Sequence, residues 1–259
     1  MTSPPLSFYA SEIYLHGMGG QRPELTTDLS VLEAVAKDRM EPEPYWYAAG
    51  AAGSGATHRA NLAAFDRWRI VPRMLAGATE RDPSTTVLGQ RIPAPVITAP
   101  IGVQGIMHPD GELAVARAAA ALGLPMILST VSSYSLEEVA AANGDGLRWF
   151  QLYWPNDEDV CLSLLARAQA AGFTALVVTL DTWMLGWRPH DLDNAYLPFL
   201  TGKGLANYFT DPAFCAPAEH LRCGRVESVR SQSTTVLSQL PVAKVRPSGA
   251  NATEDTRLV

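Results

Sequence analysis

Three things are scarce in this sequence, and each scarcity excludes a class of function. There are only 3 cysteines in 259 residues, Cys161, Cys215 and Cys223. An odd number at wide spacing offers neither a disulfide framework nor a CxxC metal pair, so no metal site is expected, and a reducing, cytoplasmic setting is. Excess positive charge is missing too. The net charge is −6 and no basic patch stands out, which argues against a nucleic-acid partner. Long apolar runs are absent, so no membrane span is expected. The first residues, MTSPPLSFYASEIY, lack a basic stretch followed by an apolar one, so no secretory leader is expected either. Several chemical signatures are also missing: no GxGxxG follows a strand, and GxxxxGK[ST], HExxH and GxSxG do not occur. Gly50, Gly53 and Gly55 surround Ser54, but they follow an aromatic stretch rather than a buried strand and make a weak phosphate cradle.

Apolar residues make up 47% of the chain and charged residues 18%, enough to build a sizeable core in one α/β domain or two smaller ones. Residues 1–25 read as an irregular lead-in. Residues 27–40 read as an amphipathic helix with Leu29, Leu32, Val35 and Ala36 on one face, stopped by Glu41-Pro42-Glu43-Pro44. Tyr45 to Gly55 is an aromatic stretch entering a Gly/Ala loop, and residues 57–68 read as a second helix. A regular alternation then begins: a strand at 95–100, a helix at 111–122 closed by Gly123, and a strand at 125–129. A helix at 135–142 follows, with Ser135 as N-cap and Glu138 three residues on. Residues 148–154 read as a third strand and 159–171 as a third helix, with Leu162, Leu165, Ala166 and Ala170 at helical spacing. Residues 175–181 read as a fourth strand. Such alternation implies a parallel sheet of barrel type.

Function is expected at the strand ends. Gln151 and Tyr153 close one strand; Thr179, Asp181 and Arg188 close the next. Taken singly each has an ordinary explanation: Gln151 satisfying backbone groups, Thr179 chosen for β-propensity, Asp181 capping a turn, Arg188 in a surface ion pair. Their coincidence at the same end of successive strands is what suggests a site, because the βα loops of a barrel converge there. His108, in HPDGE at a helix start, reads as structural, and His190 is a weak candidate for a base.

From about Thr26 to Phe214 the chain resembles the FMN-dependent α-hydroxy-acid oxidases and dehydrogenases, with lactate 2-monooxygenase as the nearest branch. The segments that carry the resemblance are YAAGAAGSGATHRANLAAF, VPRML, LGQRIPAPVITAPIGVQGIMHPDGE, RWFQLYW and VVTLDTWMLGWRP. The resemblance implies a TIM-type (β/α) barrel, represented here by about its first four βα units after an N-terminal helical segment. It implies FMN as cofactor, with Pro100, Ile101 and Gly102 against the flavin, Gly102 leaving room beside the ring. It implies Ser129, Gln151 and Thr179 at the ring edge, and Tyr153 there and toward substrate. Tyr47, Tyr153 and Arg188 would bind a small 2-hydroxy acid, whose carboxylate suits phenol donors and a guanidinium. Oxygen would be the co-substrate, and a homo-oligomer is a possible assembly. In the family, later strands supply a lysine, the histidine that removes the α-proton, an arginine, and the loops that hold the FMN phosphate. Residues 215–259, rich in Ser, Thr, Arg and Pro, match none of these and read as a divergent, disordered tail. His220 and Arg222 lie there without the family's surroundings, so no catalytic base is assigned. Two readings follow: an oxidase or monooxygenase of L-2-hydroxy acids, or a truncated, non-catalytic remnant that binds flavin weakly or partners a full-length homologue.

Overall fold

The computed structural model describes residues 8–75, 77, 82–182 and 184–219, which fall into two units, one up to Ala49 and one from Gly50 onward. The reading of 220–259 as a tail, including His220, Arg222 and Cys223, lies outside the described residues.

The first unit is helical. Helix α1 spans Phe8–Met18, so part of the expected irregular lead-in is a helix. FYASEIYLH contains neither glycine nor proline, and the turn that closes α1 sits where Gly17, Gly19 and Gly20 begin. A short 3-10 turn at Leu29–Val31, capped by Asp28, leads into α2 (Leu32–Arg39). Leu32, Val35 and Ala36 are half-buried, but Leu29 is exposed. The prolines after α2 do not simply stop it. Pro42 is the first residue of α3 (Pro42–Ala49), which carries the aromatic run Tyr45–Tyr47. Proline suits a helix start because its missing N–H would have had no intrahelical acceptor there.

The second unit opens with α4 (Ala56–Ala64) and a 3-10 turn at Phe65–Arg67. A hairpin unforeseen in the sequence follows: β1 (Thr85–Val87) pairs antiparallel with β2 (Gln90–Ile92). Leu88 and Gly89 both have positive φ, as a two-residue hairpin turn requires. The alternation then appears in the expected order: α5 (Gly111–Leu122), β3 (Met126–Leu128), α6 (Leu136–Asn143), β4 (Arg148–Leu152), α7 (Glu158–Ala170) and β5 (Leu176–Val178). These strands form one parallel sheet in the order β3-β4-β5. The expected strand at 95–100 contributes a single parallel bridge, Thr98 to Met126. Pro95 and Pro100 bracket it and cannot donate to a ladder. The described residues contain no closed barrel.

Helix caps explain the boundaries. Ser135 and Glu138 form a reciprocal capping box on α6. Asp157 accepts from the N–H groups of Asp159 and Val160 at the start of α7. The buried face of α7 is Val160, Cys161, Leu164 and Ala168. The face expected from Leu162, Leu165, Ala166 and Ala170 is therefore rotated: Leu162, Ala166 and Ala170 are exposed and Leu165 is half-buried. Beyond β5 come α8 (Pro189–Asp193), a 3-10 turn at Pro198–Thr201, α9 (Ala206–Phe209) and α10 (Pro212–Glu219). Helical structure thus continues past Phe214 through Cys215, five residues into the segment expected to be disordered. Asp211 accepts from the N–H groups of Ala213 and Phe214, and Pro212 opens the helix, a cap pattern readable as DP.

The core lies on one face of the sheet. Met126, Leu128, Phe150 and Leu152 pack with Ala116 and Ala119 of α5, Leu136 and Val139 of α6, and Leu164 and Ala168 of α7. Because side chains alternate along a strand, the intervening residues face the other way. On that second face the Trp149 indole donates to Gln90 of β2 at 3.0 Å.

Candidate functional site

Strand alternation delivers Ser129, Gln151 and Thr179 to the same face and the same end of adjacent strands. Register pairs Leu128 with Phe150 and Gln151 with Val177, so Ser129 and Thr179 lie one step past β3 and β5 on either side of Gln151. Gln151 is 1% exposed, and its amide joins the row. Gln151 Oε1 accepts from Ser129 Oγ at 3.1 Å and from Thr130 N at 3.2 Å, while Nε2 donates to Thr179 Oγ1 at 2.9 Å. The Thr130 backbone N–H can only donate, so the atom facing it must be the amide oxygen. That fixes the amide's orientation and leaves Nε2 a second N–H beyond its bond to Thr179. The row is uncharged and pre-set before any ligand arrives.

Thr130 strengthens the arrangement and was not singled out in the sequence. Its hydroxyl donates to the Gln151 carbonyl and accepts from Tyr153 N at 3.0 Å. Threonine at a strand end ordinarily signals β-propensity alone, so nothing in the sequence marks this bridge.

Pro100 and Gly102 are half-buried and Ile101 is exposed. Gly102 is not beside open space on the side where a Cβ would point. A Cβ there would stand 2.6 Å from Val131 Cγ2 and 3.0 Å from the Val131 carbonyl oxygen. The glycine is thus required by close approach of this turn to the end of β3. The next residue, Val103, is held in the left-handed region at φ 54° with its N–H bonded to Val131 O at 2.8 Å. A β-branched residue there is strained, and such strain persists only where neighbours over-determine it.

A second residue the sequence reading passed over is Glu112, in HPDGE. It is fully buried, and Oε1 accepts from Gln104 N and Ser133 N, both at 3.0 Å. It links the loop after Gly102 to the loop after β3. A glutamate in the first turn of a helix is ordinary, so nothing in the sequence marked this link. His108 has the structural role expected of it: Nδ1 accepts from Asp110 N at 3.1 Å.

Tyr153 is half-buried just past β4. Burial raises its phenol pKa, the nearby Asp181 carboxylate raises it further, and Arg188 opposes both. Arg188 itself is the N-cap residue of α8, and its Nη1 stands 3.7 Å from Asp191 Oδ2. Burial raises the Asp191 pKa, with Arg188 pulling the other way. Asp181 is exposed and accepts from Thr182 Oγ1 at 3.5 Å. Tyr47 lies half-buried on α3 of the N-terminal unit, whereas every other expected site residue lies in the second unit. His190 sits in the first turn of α8.

A family model described as FMN-dependent dehydrogenase matches residues 36–247. The chain belongs to that family. The match continues beyond Phe214, where the resemblance read from the sequence ends. An FMN-dependent alpha-hydroxy acid dehydrogenase of Penicillium citrinum is 46% identical over 227 residues, covering 86% of this chain and 56% of the relative. An L-lactate oxidase of Lysinibacillus sphaericus is 43% identical, covering 71% of this chain and 48% of the relative. A crystal structure of mandelate oxidase aligns with a TM-score of 0.65 at 40% identity, over 75% of this chain and 57% of its own. The chain therefore spans about half the length of the curated relatives it matches. As a member of the FMN-dependent dehydrogenase family, it shares its α/β fold with FMN oxidases over about three quarters of its residues. None of its described helices is long and apolar enough to cross a membrane.

Proposed function

We propose that this chain serves FMN-dependent oxidation of a small L-2-hydroxy acid, with Ser129, Gln151 and Thr179 along the flavin edge. The observation that carries the reading is the fixed Gln151 amide, which offers a neutral donor at the ends of three adjacent parallel strands. Family membership supplies the identity of the group. The residues fit it: a neutral heterocycle rich in donors and acceptors pairs with hydroxyls and an amide without a charge to desolvate. The backbone of Pro100, Ile101 and Gly102 would lie against the ring. FMN, when bound, would supply a two-electron acceptor that oxygen can reoxidise.

The chain's own residues would do the rest. Tyr153, kept protonated by burial and by Asp181, donates a hydrogen bond to the substrate. Arg188 binds the carboxylate, in competition with Asp191. No histidine of this chain is assigned the base that takes the α-proton. The overall oxidation converts the 2-hydroxy acid and O2 to the 2-oxo acid and hydrogen peroxide. The relatives that the chain matches are alpha-hydroxy acid dehydrogenases and lactate and mandelate oxidases, which supports this outcome in place of the lactate 2-monooxygenase branch read from DTWMLGWRP. The reading of an inert flavin-binding partner of a full-length homologue draws on another observation: Leu176 and Val178 of β5 are 46% and 39% exposed, a face left without cover among the described residues. Assembly with further copies and a cytoplasmic location are parts of the same proposal.

The deciding experiment is to add FMN to the purified chain and mix it anaerobically with L-lactate, glycolate or mandelate. Bleaching of the flavin band by any of them supports the oxidase; bound but unbleached flavin supports the inert partner. No flavin binding at all would sink the oxidase and leave only the non-catalytic partner.

A further inference from the structure

Directly behind the Ser129–Gln151–Thr179 row lies one fully buried amide that none of the roles above uses, Asn207 of α9. Its Oδ1 accepts from Leu136 N at 2.7 Å, and its Nδ2 donates to Thr130 O at 2.9 Å and Ser129 O at 3.4 Å. Leu136 N–H can only donate, so it orients this amide just as Thr130 N–H orients Gln151. The residue before it, Ala206, donates its N–H to Ser132 O at 3.1 Å. Two consecutive residues thus engage four main-chain groups between Ser129 and Leu136. The same segment also braces the other turn. Gly204, at φ +75°, lies so close to Val103 that a Cβ would stand 2.6 Å from Val103 Cγ2, and Val103 is the strained residue next to Gly102. The far side of α9 is anchored separately: Arg167 donates to the Asn207 carbonyl at 2.8 Å and pairs with buried Asp211 at 2.9 Å.

We propose that Asn207 is a positioning residue for the flavin edge. By holding the Ser129 and Thr130 carbonyls it aims Thr130 N–H and Ser129 Oγ at Gln151 Oε1, and so turns the Gln151 N–H outward. This rests on the flavin-site reading above. Asn207→Asp separates positioning from ordinary capping, because a carboxylate still accepts from Leu136 N–H but cannot donate to Thr130 O. Asp211→Asn is the control: it weakens the anchor of α9 without touching Ser129 or Thr130.

The full chain and the three variants Asn207→Ala, Asn207→Asp and Asp211→Asn are compared in two ways. One is hydrogen exchange across residues 129–136 without FMN. The other is FMN titration, following fluorescence quenching and the visible band. Both Asn207 variants should exchange faster over 129–136, bind FMN about tenfold more weakly and shift the flavin band, on the scale of one lost hydrogen bond. Asp211→Asn should melt lower yet keep the unaltered band and affinity. If Asn207→Ala does not fold, Asn207→Asp, with its cap acceptor intact, carries the comparison. Unaltered FMN affinity and band in a folded Asn207→Asp variant would overturn the positioning role and leave the proposed function standing. Equal weakening by Asp211→Asn would also overturn it, since general loosening would then suffice. Failure of the unsubstituted chain to bind FMN would overturn both.

Discussion

At Tyr153 the main chain and the side chain have separate tasks, which makes the residue testable. Its N–H is held by Thr130 Oγ1, so Tyr153→Phe keeps the strand end and loses only the phenol. We expect FMN binding to be retained and KM for the hydroxy acid to rise about tenfold, the scale of one lost hydrogen bond, in steady-state assays. Gln151→Leu should act differently. It strands the buried Thr130 N–H, so a loss of about 1–3 kcal/mol in urea unfolding is expected together with weakened FMN binding. Glu137 gives a pH dependence. Its carboxylate binds Arg167 Nε and Nη2 at 2.8 and 2.9 Å, and the hydrogen bond from Arg167 holds its pKa below the ordinary glutamate value. A depressed folded pKa contributes stability that is complete above the unfolded value and lost as pH falls through the folded one. The melting temperature should therefore drop on acidification below the ordinary glutamate range, and Glu137→Gln should blunt the drop. At this scale the sequence was informative about residue type: Gln151 and Thr179 stood out as polar groups ending apolar runs, and Ser129 came with the family resemblance. It was silent on Thr130, Glu112 and Asn207, whose importance comes from which backbone groups they meet.

Elements in this chain begin where a cap permits. Ser135→Ala removes the acceptor for Glu138 N–H and half of the capping box, so about 1 kcal/mol should be lost in chemical denaturation. Ser135→Asp should lose much less. The positions of α5, α6 and α7 were legible because each combines a local cap or stop with a helical run. The strand read at 95–100 shrank to one bridge, since its prolines lack the donors a ladder needs. The buried face of α7 was misread because two faces of that helix are apolar enough to compete. Only packing against Phe150 and Leu152 selects Val160, Leu164 and Ala168. Helix α3 was missed because proline was taken as an end and not as a beginning.

For the whole molecule, the exposed outer face of β5 is the consequential feature. Leu176 and Val178 present apolar side chains, and an apolar strand of this kind invites pairing with another chain. Replacing Val178 with Lys should lower self-association in light scattering and leave the melting temperature nearly unaltered; an unaltered association state would show that β5 is not the contact. The sequence by itself determined the family and the alternating order of α5 to α7 with β3 to β5. It also determined which chemical groups stand at the strand ends, because period, caps and residue type are local properties. The tertiary structure decided what those groups are for. Alternation and register put Ser129, Gln151 and Thr179 in one row, and a backbone N–H from Thr130 set which end of the Gln151 amide faces out. Asn207, 56 residues further along the chain, closes behind them. Such contacts join residues remote in sequence through main-chain atoms that every residue possesses, so no pattern of side chains along the chain announces them.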